Sequence, residues 1–133
     1  MRSTLNDEGP LAVVRLRGIL RASKGLSKYE VGAFDVMKGR SVAGDGLDIH
    51  HAMQKQPAGQ FVKGYDPLTA PSISVPRAEH IQIPNLRGDY TGTARELLAR
   101  DIRNLRNYTN APNGSLRELI DLNKQTYPGA FGK

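Results

Sequence analysis

Two short words near the C-terminus, Thr93-Ala94-Arg95-Glu96 and Ser115-Leu116-Arg117-Glu118, constrain the fold more than any other part of the chain. In each, a hydroxyl and a carboxylate three residues apart can satisfy one another's free backbone donors, the capping box that opens a helix. The first predicts a helix to about Tyr108, with Ala94, Leu97, Leu98, Ile102, Leu105 and Tyr108 on one stripe. Arg95, Arg100, Arg103 and Arg106 fall on the opposite arc, which either tracks a nucleic-acid backbone or is a solvated face with Glu96 and Arg100 paired one turn apart. After the turn Pro112-Asn113-Gly114, the second box predicts a helix to Tyr127, stopped by Pro128-Gly129. With 133 residues, 38% of them hydrophobic and 24% charged, the chain suits one folded domain and not two independent cores.

The rest is cut into shorter pieces. Residues 1–10 are polar, end in Gly9-Pro10, and read as a leader or linker remnant, leaving 11–133 as the domain. Val14, Leu16 and Leu20 alternate with Arg15, Arg17 and Arg21, which suggests a short strand, with a helix as the alternative. Tyr29 to Met37 reads as a brief helix stopped by Gly39. Gly44-Asp45-Gly46 introduces Leu47-Asp48-Ile49-His50-His51, of which Ile49–His51 would end a strand, and a Pro- and Gly-punctuated loop is expected from Gln56 to Pro71. Ile73–Val75 is a β-type run, Pro76 suits the first position of a short helix, and Pro84 ends that helix early. The expected class is therefore α+β, a small single domain closed by two helices at about 93–108 and 115–127.

No apolar run approaches the ~20 residues that span a bilayer, so no membrane contact is expected. The N-terminal stretch lacks the apolar core of a secretory signal, so a protein that leaves its cell must travel by another route. Cysteine is absent, which removes disulfides, thiolate zinc sites and cysteine nucleophiles together. The net charge is +6, and twelve of the nineteen basic residues are arginine, whose planar fork suits bidentate phosphate contacts. Residues 1–40 and 87–133 carry the excess, whereas 41–86 is slightly acidic and contains all three histidines, His50, His51 and His80. Such a distribution fits a cation site flanked by phosphate-gripping surfaces, and equally a solvated basic surface.

Adjacent histidines at the end of a strand point to opposite sides of it, so His50 and His51 cannot easily serve one metal together. One ligand and one general base is the natural division, because neutral imidazole suits both roles near pH 7. A hairpin followed by a helix would bring His80 back beside His50. The alternative is three surface or hydrogen-bonded histidines without catalytic duty.

Asp48-Ile49-His50-His51, followed by Ile73-Ser74-Val75-Pro76-Arg77-Ala78-Glu79-His80-Ile81-Gln82-Ile83, resembles the HNH, or ββα-metal (His-Me finger), nuclease motif. The resemblance is to colicin-type DNases and to C-terminal HNH toxin domains of bacterial polymorphic toxins, and it covers about residues 44–88. It implies that His50 and His80 are metal ligands and that His51 is the base that activates water. Asp48 would orient a histidine or a basic side chain, and Arg77 would hold the scissile phosphate. The family's second helix histidine falls at Pro84 here, and its hairpin asparagine at Ser72. Asn85 is the substitute third ligand, with Asp48 or Glu79 as fallback. One divalent ion is implied; an oxygen donor favours Mg²⁺ or Mn²⁺, with Zn²⁺ and Ni²⁺ as alternatives.

The resemblance thus implies a metal-dependent, largely sequence-nonspecific DNA endonuclease, a secreted effector acting in the target-cell cytoplasm. Its partners would be DNA rather than RNA and, in the producing cell, an acidic cognate immunity protein. A noncatalytic nucleic-acid-binding module with structural histidines, an RNase of the same motif and a hydrolase of another phosphodiester remain open on the residues alone.

Overall fold

The computed structural model describes residues 24–131, so the leader at 1–10 and the strand expected at Val14–Leu20 lie outside the described residues. A three-stranded antiparallel sheet of β1 (Val31–Ala33), β2 (Leu47–His51) and β3 (Pro71–Pro76) has β3 at its centre. Helices α1 (Phe34–Arg40), α2 (Lys55–Phe61), α3 (Arg77–His80), α4 (Ala94–Tyr108), α5 (Asn113–Thr126) and α6 (Pro128–Phe131) complete an α+β domain. No described helix is long and apolar enough to cross a membrane.

The central strand reads Pro-Ser-Ile-Ser-Val-Pro, and its first five residues are buried. Proline is tolerated at a strand's first residue because the missing donor falls where the ladder begins. The buried serines satisfy themselves on nearby carbonyls, Ser72 on Ala70 and Ser74 on Ser27. Ile73 and Val75 join Leu97, Leu105, Leu116 and Leu119 in one core, with α5 packed against β3 and β1. Across the β2–β3 ladder, His50 lies opposite Ile73 and Asp48 opposite Val75. This register fixes the site, since α3 starts where β3 ends and carries His80 back past β2.

α4 begins at the capping box: Glu96 N–H donates to Thr93 Oγ1 at 3.1 Å, and Thr93 N–H donates to Glu96 Oε1 at 2.9 Å. Leu97, Leu98, Ile102 and Leu105 are buried on its inner stripe, whereas Tyr108 is exposed. With Glu96 serving the cap, no Glu96–Arg100 ion pair forms among the described residues. The second box does not form. α5 starts two residues before Ser115, with Pro112 as its cap residue and no side-chain cap. Arg106 binds the Asn113 side chain at 3.1 Å, and Leu116 N–H already reaches Pro112 O, so the first turn is set upstream of Ser115.

Three further expectations change. Instead of a helix from Tyr29, Val31–Ala33 forms a strand on the free edge of β3, and the helix starts at Phe34 and runs through Gly39. Tyr29, in the left-handed region at φ 65°, turns the chain into that ladder, where its N–H donates to Ser74 O. The first part of the loop expected from Gln56 is instead helical, within Lys55–Phe61, despite Pro57 and Gly59. Pro57 sits in the first turn, where a helix lacks intrahelical acceptors anyway, and Pro57 and Ala58 are buried. α3 is a single turn that ends at His80, and residues 81–83 follow as turns before Pro84 is reached.

Candidate active site

β2 presents Asp48 and His50 on one face and His51 on the other, as its pleat requires. His50 is 5% exposed, and its ring lies 5.3 Å from that of His80, nearly perpendicular to it. The return of His80 beside His50 follows the hairpin-then-helix order. His51 lies half-buried, stacked on Phe34 with ring centres 4.3 Å apart. All three imidazoles, together with Asn85, line one cleft of about 400 Å³.

Each ring has one nitrogen tied to an oxygen. Asp101 on α4 places both carboxylate oxygens 3.0 Å from His50 Nε2, and it also accepts from Met53 N–H at 2.9 Å. Asp48 accepts from His80 Nδ1 at 2.9 Å and from Arg77 Nε at 3.0 Å. The Pro67 carbonyl accepts from His51 Nε2 at 3.0 Å. In the neutral tautomers these partners imply, His50 Nδ1, His80 Nε2 and His51 Nδ1 carry the free lone pairs. Partial burial pushes the Asp48 carboxyl up, but the bonds from His80 and Arg77 outweigh it and hold the carboxyl below its ordinary value. Burial lowers His51, with the positive field of Lys55 adding to it against the bond to Pro67, so the ring stays neutral near pH 7.

Among the described residues no group of three or more His, Asp or Glu is arranged to hold a metal ion. The rings of His50 and His80 lie 5.3 Å apart, and Asn85 lines the same cleft. By their chemistry, two imidazoles and an amide oxygen are the residues that would hold a divalent ion, with water completing its shell. Neither fallback ligand is free. Glu79 accepts from Tyr29 Oη at 2.8 Å and from the Asn110 backbone and side chain at 3.2 Å, while Asp48 is committed to Arg77 and His80.

Asn85 is held by a residue that the sequence did not single out. The Gln54 side chain donates to Pro84 O at 2.9 Å and accepts from Leu86 N–H at 2.8 Å, bracketing Asn85. Gln54 and its neighbour Met53 adopt φ values of 62° and 68°, two successive positive-φ residues without a glycine, one residue beyond the His-His pair. Such backbone strain persists only where surrounding structure over-determines it, and it concentrates at functional sites. Asp101 was also missed, although it carries a signal: an acid on the apolar stripe of a helix, between Leu98 and Ile102. Nothing in the sequence marks the Pro67 carbonyl or Phe34 as partners of His51.

Of the expected residues, His50, His51, His80 and Asn85 line the cleft, while Asp48 and Arg77 reach it through His80 and lie outside its wall. The arginine arc of α4 is partly engaged within the fold, with Arg95 on Phe131 O at 3.4 Å and Arg106 on Asn113. Comparison with protein-family models, curated proteins and solved structures finds no match for this chain.

Proposed function

We propose that this chain is a metal-dependent DNA endonuclease with little sequence preference, using His51 as its general base. The observation that carries the reading is the shared cleft: a neutral His51 anchored through Nε2 opens onto the same space as His50 and His80, whose rings lie 5.3 Å apart. His51 Nδ1 takes a proton from water, whose oxygen attacks phosphorus. The P–O3′ bond breaks, its electron pair stays on the 3′ oxygen, and solvent protonates that oxygen. The products are a 5′-phosphate and a 3′-hydroxyl. A divalent ion held by His50, His80 and Asn85 would supply electrostatic stabilisation of the charge that develops on the phosphoryl group. Asp48 orients His80 and Arg77 together, and Arg77, 69% exposed at its side chain, is available to a phosphate oxygen. The sequence resemblance extends the proposal to a secreted effector domain that acts in the cytoplasm of a target cell and is held in check by an acidic immunity protein.

One observation favours the competing reading of a noncatalytic nucleic-acid-binding module: every imidazole already has a hydrogen-bond partner within the protein. Incubating purified protein with supercoiled plasmid in Mg²⁺ or Mn²⁺, with and without EDTA, separates the two. The endonuclease converts plasmid to nicked and linear forms only without chelator. A module shifts plasmid mobility in both conditions and cuts in neither.

A further inference from the structure

Beside the histidine cleft lies a second one of about 440 Å³, and the two share Gln54, Lys55 and Asn85 in their walls. The second cleft is basic: its ionisable lining groups are Lys55 and Arg87, with no carboxylate among them. Both side chains are exposed, and neither has an ion pair or side-chain hydrogen bond among the described residues. The wall between the clefts is fixed by the Gln54 clamp on Pro84 and Leu86. Lys55 immediately follows the strained pair Met53-Gln54 and is close enough to His51 for its charge to act on that ring. Two cations without partners, on the rigid rim of a groove continuous with the candidate site, are complementary to an extended polyanion.

We propose that this second cleft is the subsite for a flanking backbone phosphate of DNA, held by Lys55 and Arg87 while the scissile phosphate occupies the histidine cleft. The proposal rests on the nuclease reading and deepens it: the substrate is a polynucleotide strand, not a small isolated phosphodiester. Its test is made in EDTA, where no cleavage is needed, so it can fail while the nuclease reading stands and the reverse.

Binding of a fluorescein-labelled 20-base-pair DNA duplex is followed by anisotropy across a salt series, for the parent, Lys55→Gln, Arg87→Gln and the double variant. Each phosphate contact contributes about 0.9 to the slope of log K against log salt, so the double variant should flatten it by about 1.8 and each single by about half that. Arg117→Gln with Lys124→Gln, the same charge change on α5 outside both clefts, should keep the parent slope. Circular dichroism checks that each variant is folded. A parent-like slope in the double variant overturns the proposal, as does an equal flattening in the α5 control, which would make the effect one of overall charge.

Discussion

Asp101→Ala is the perturbation whose cost can be worked most fully from the structure. The Asp101 side chain is 1% exposed and accepts from two buried donors, Met53 N–H at 2.9 Å and His50 Nε2 at 3.0 Å. Alanine leaves both without that partner, at a place where the Asp101 and His50 side chains are only 1% and 5% exposed. A buried donor stripped of its acceptor costs about 1–3 kcal/mol, so the two together cost about 2–6 kcal/mol. Against a domain stability of about 5–15 kcal/mol, this is a large fraction. Asp101→Asn keeps one acceptor oxygen and should lose about half as much. Urea unfolding followed by circular dichroism at pH 7 reads both variants. A loss below about 1 kcal/mol for alanine, or an equal loss for asparagine, refutes the reasoning. Because Asp101 also orients His50, the metal concentration for half-maximal cleavage should rise about 10–100-fold in the alanine variant.

Asn85→Ala should raise the metal concentration needed for cleavage, and Asn85→His should tighten Zn²⁺ or Ni²⁺ binding, both read by calorimetry; an alanine variant that titrates like the parent removes Asn85 from the ligand set. Replacing Arg100, Arg103 and Arg106 with Gln should leave the circular dichroism spectrum unchanged. It should flatten the salt dependence of DNA binding by about 0.9 for each arginine that contacts a phosphate, and an unchanged slope makes the arc a solvated face. Burial, together with the hydrogen bond to Glu79, raises the Tyr29 phenol from 10.0 to about 12. A phenol raised in the folded state contributes stability that is fully present below pH 10 and is lost as pH rises through 12. Urea midpoints should therefore fall across that window, and Tyr29→Phe should make the fall shallower; an equally steep fall in the variant counts against the assignment.

The parts legible in the sequence are those governed by short-range rules. α4 has a reciprocal cap at Thr93 and Glu96 and an unbroken apolar stripe, so its limits follow from local chemistry. β2 and β3 are short β-type words bounded by glycine and proline, and their hairpin order explains why His80 returns to His50. The helix at Lys55–Phe61 was hidden because Pro57 and Gly59 read as breakers, whereas the first turn tolerates the proline and buried Ala58 fastens it to the core. The failed cap at Ser115 shows the opposite error, a valid local motif overridden by contacts at Asn113 made from α4. At the site, the residues that act through side chains were visible as a pattern. Their supports were not: Asp101 meets His50 across 51 positions, and the Pro67 oxygen meets His51 as backbone. Long-range partners of this kind depend on how α4 and the 66–70 segment pack, which periodicity does not encode.

The division of labour between the paired histidines is tested most directly by titrating Mn²⁺ into the parent, His50→Ala and His51→Ala by calorimetry, with the same preparations assayed on plasmid. His51→Ala should bind Mn²⁺ nearly as the parent does and cut nothing, because the base can be removed without emptying the site. His50→Ala should lose both binding and cleavage. Loss of Mn²⁺ binding in His51→Ala with retention in His50→Ala, or undiminished cleavage in His51→Ala, would contradict the assignment.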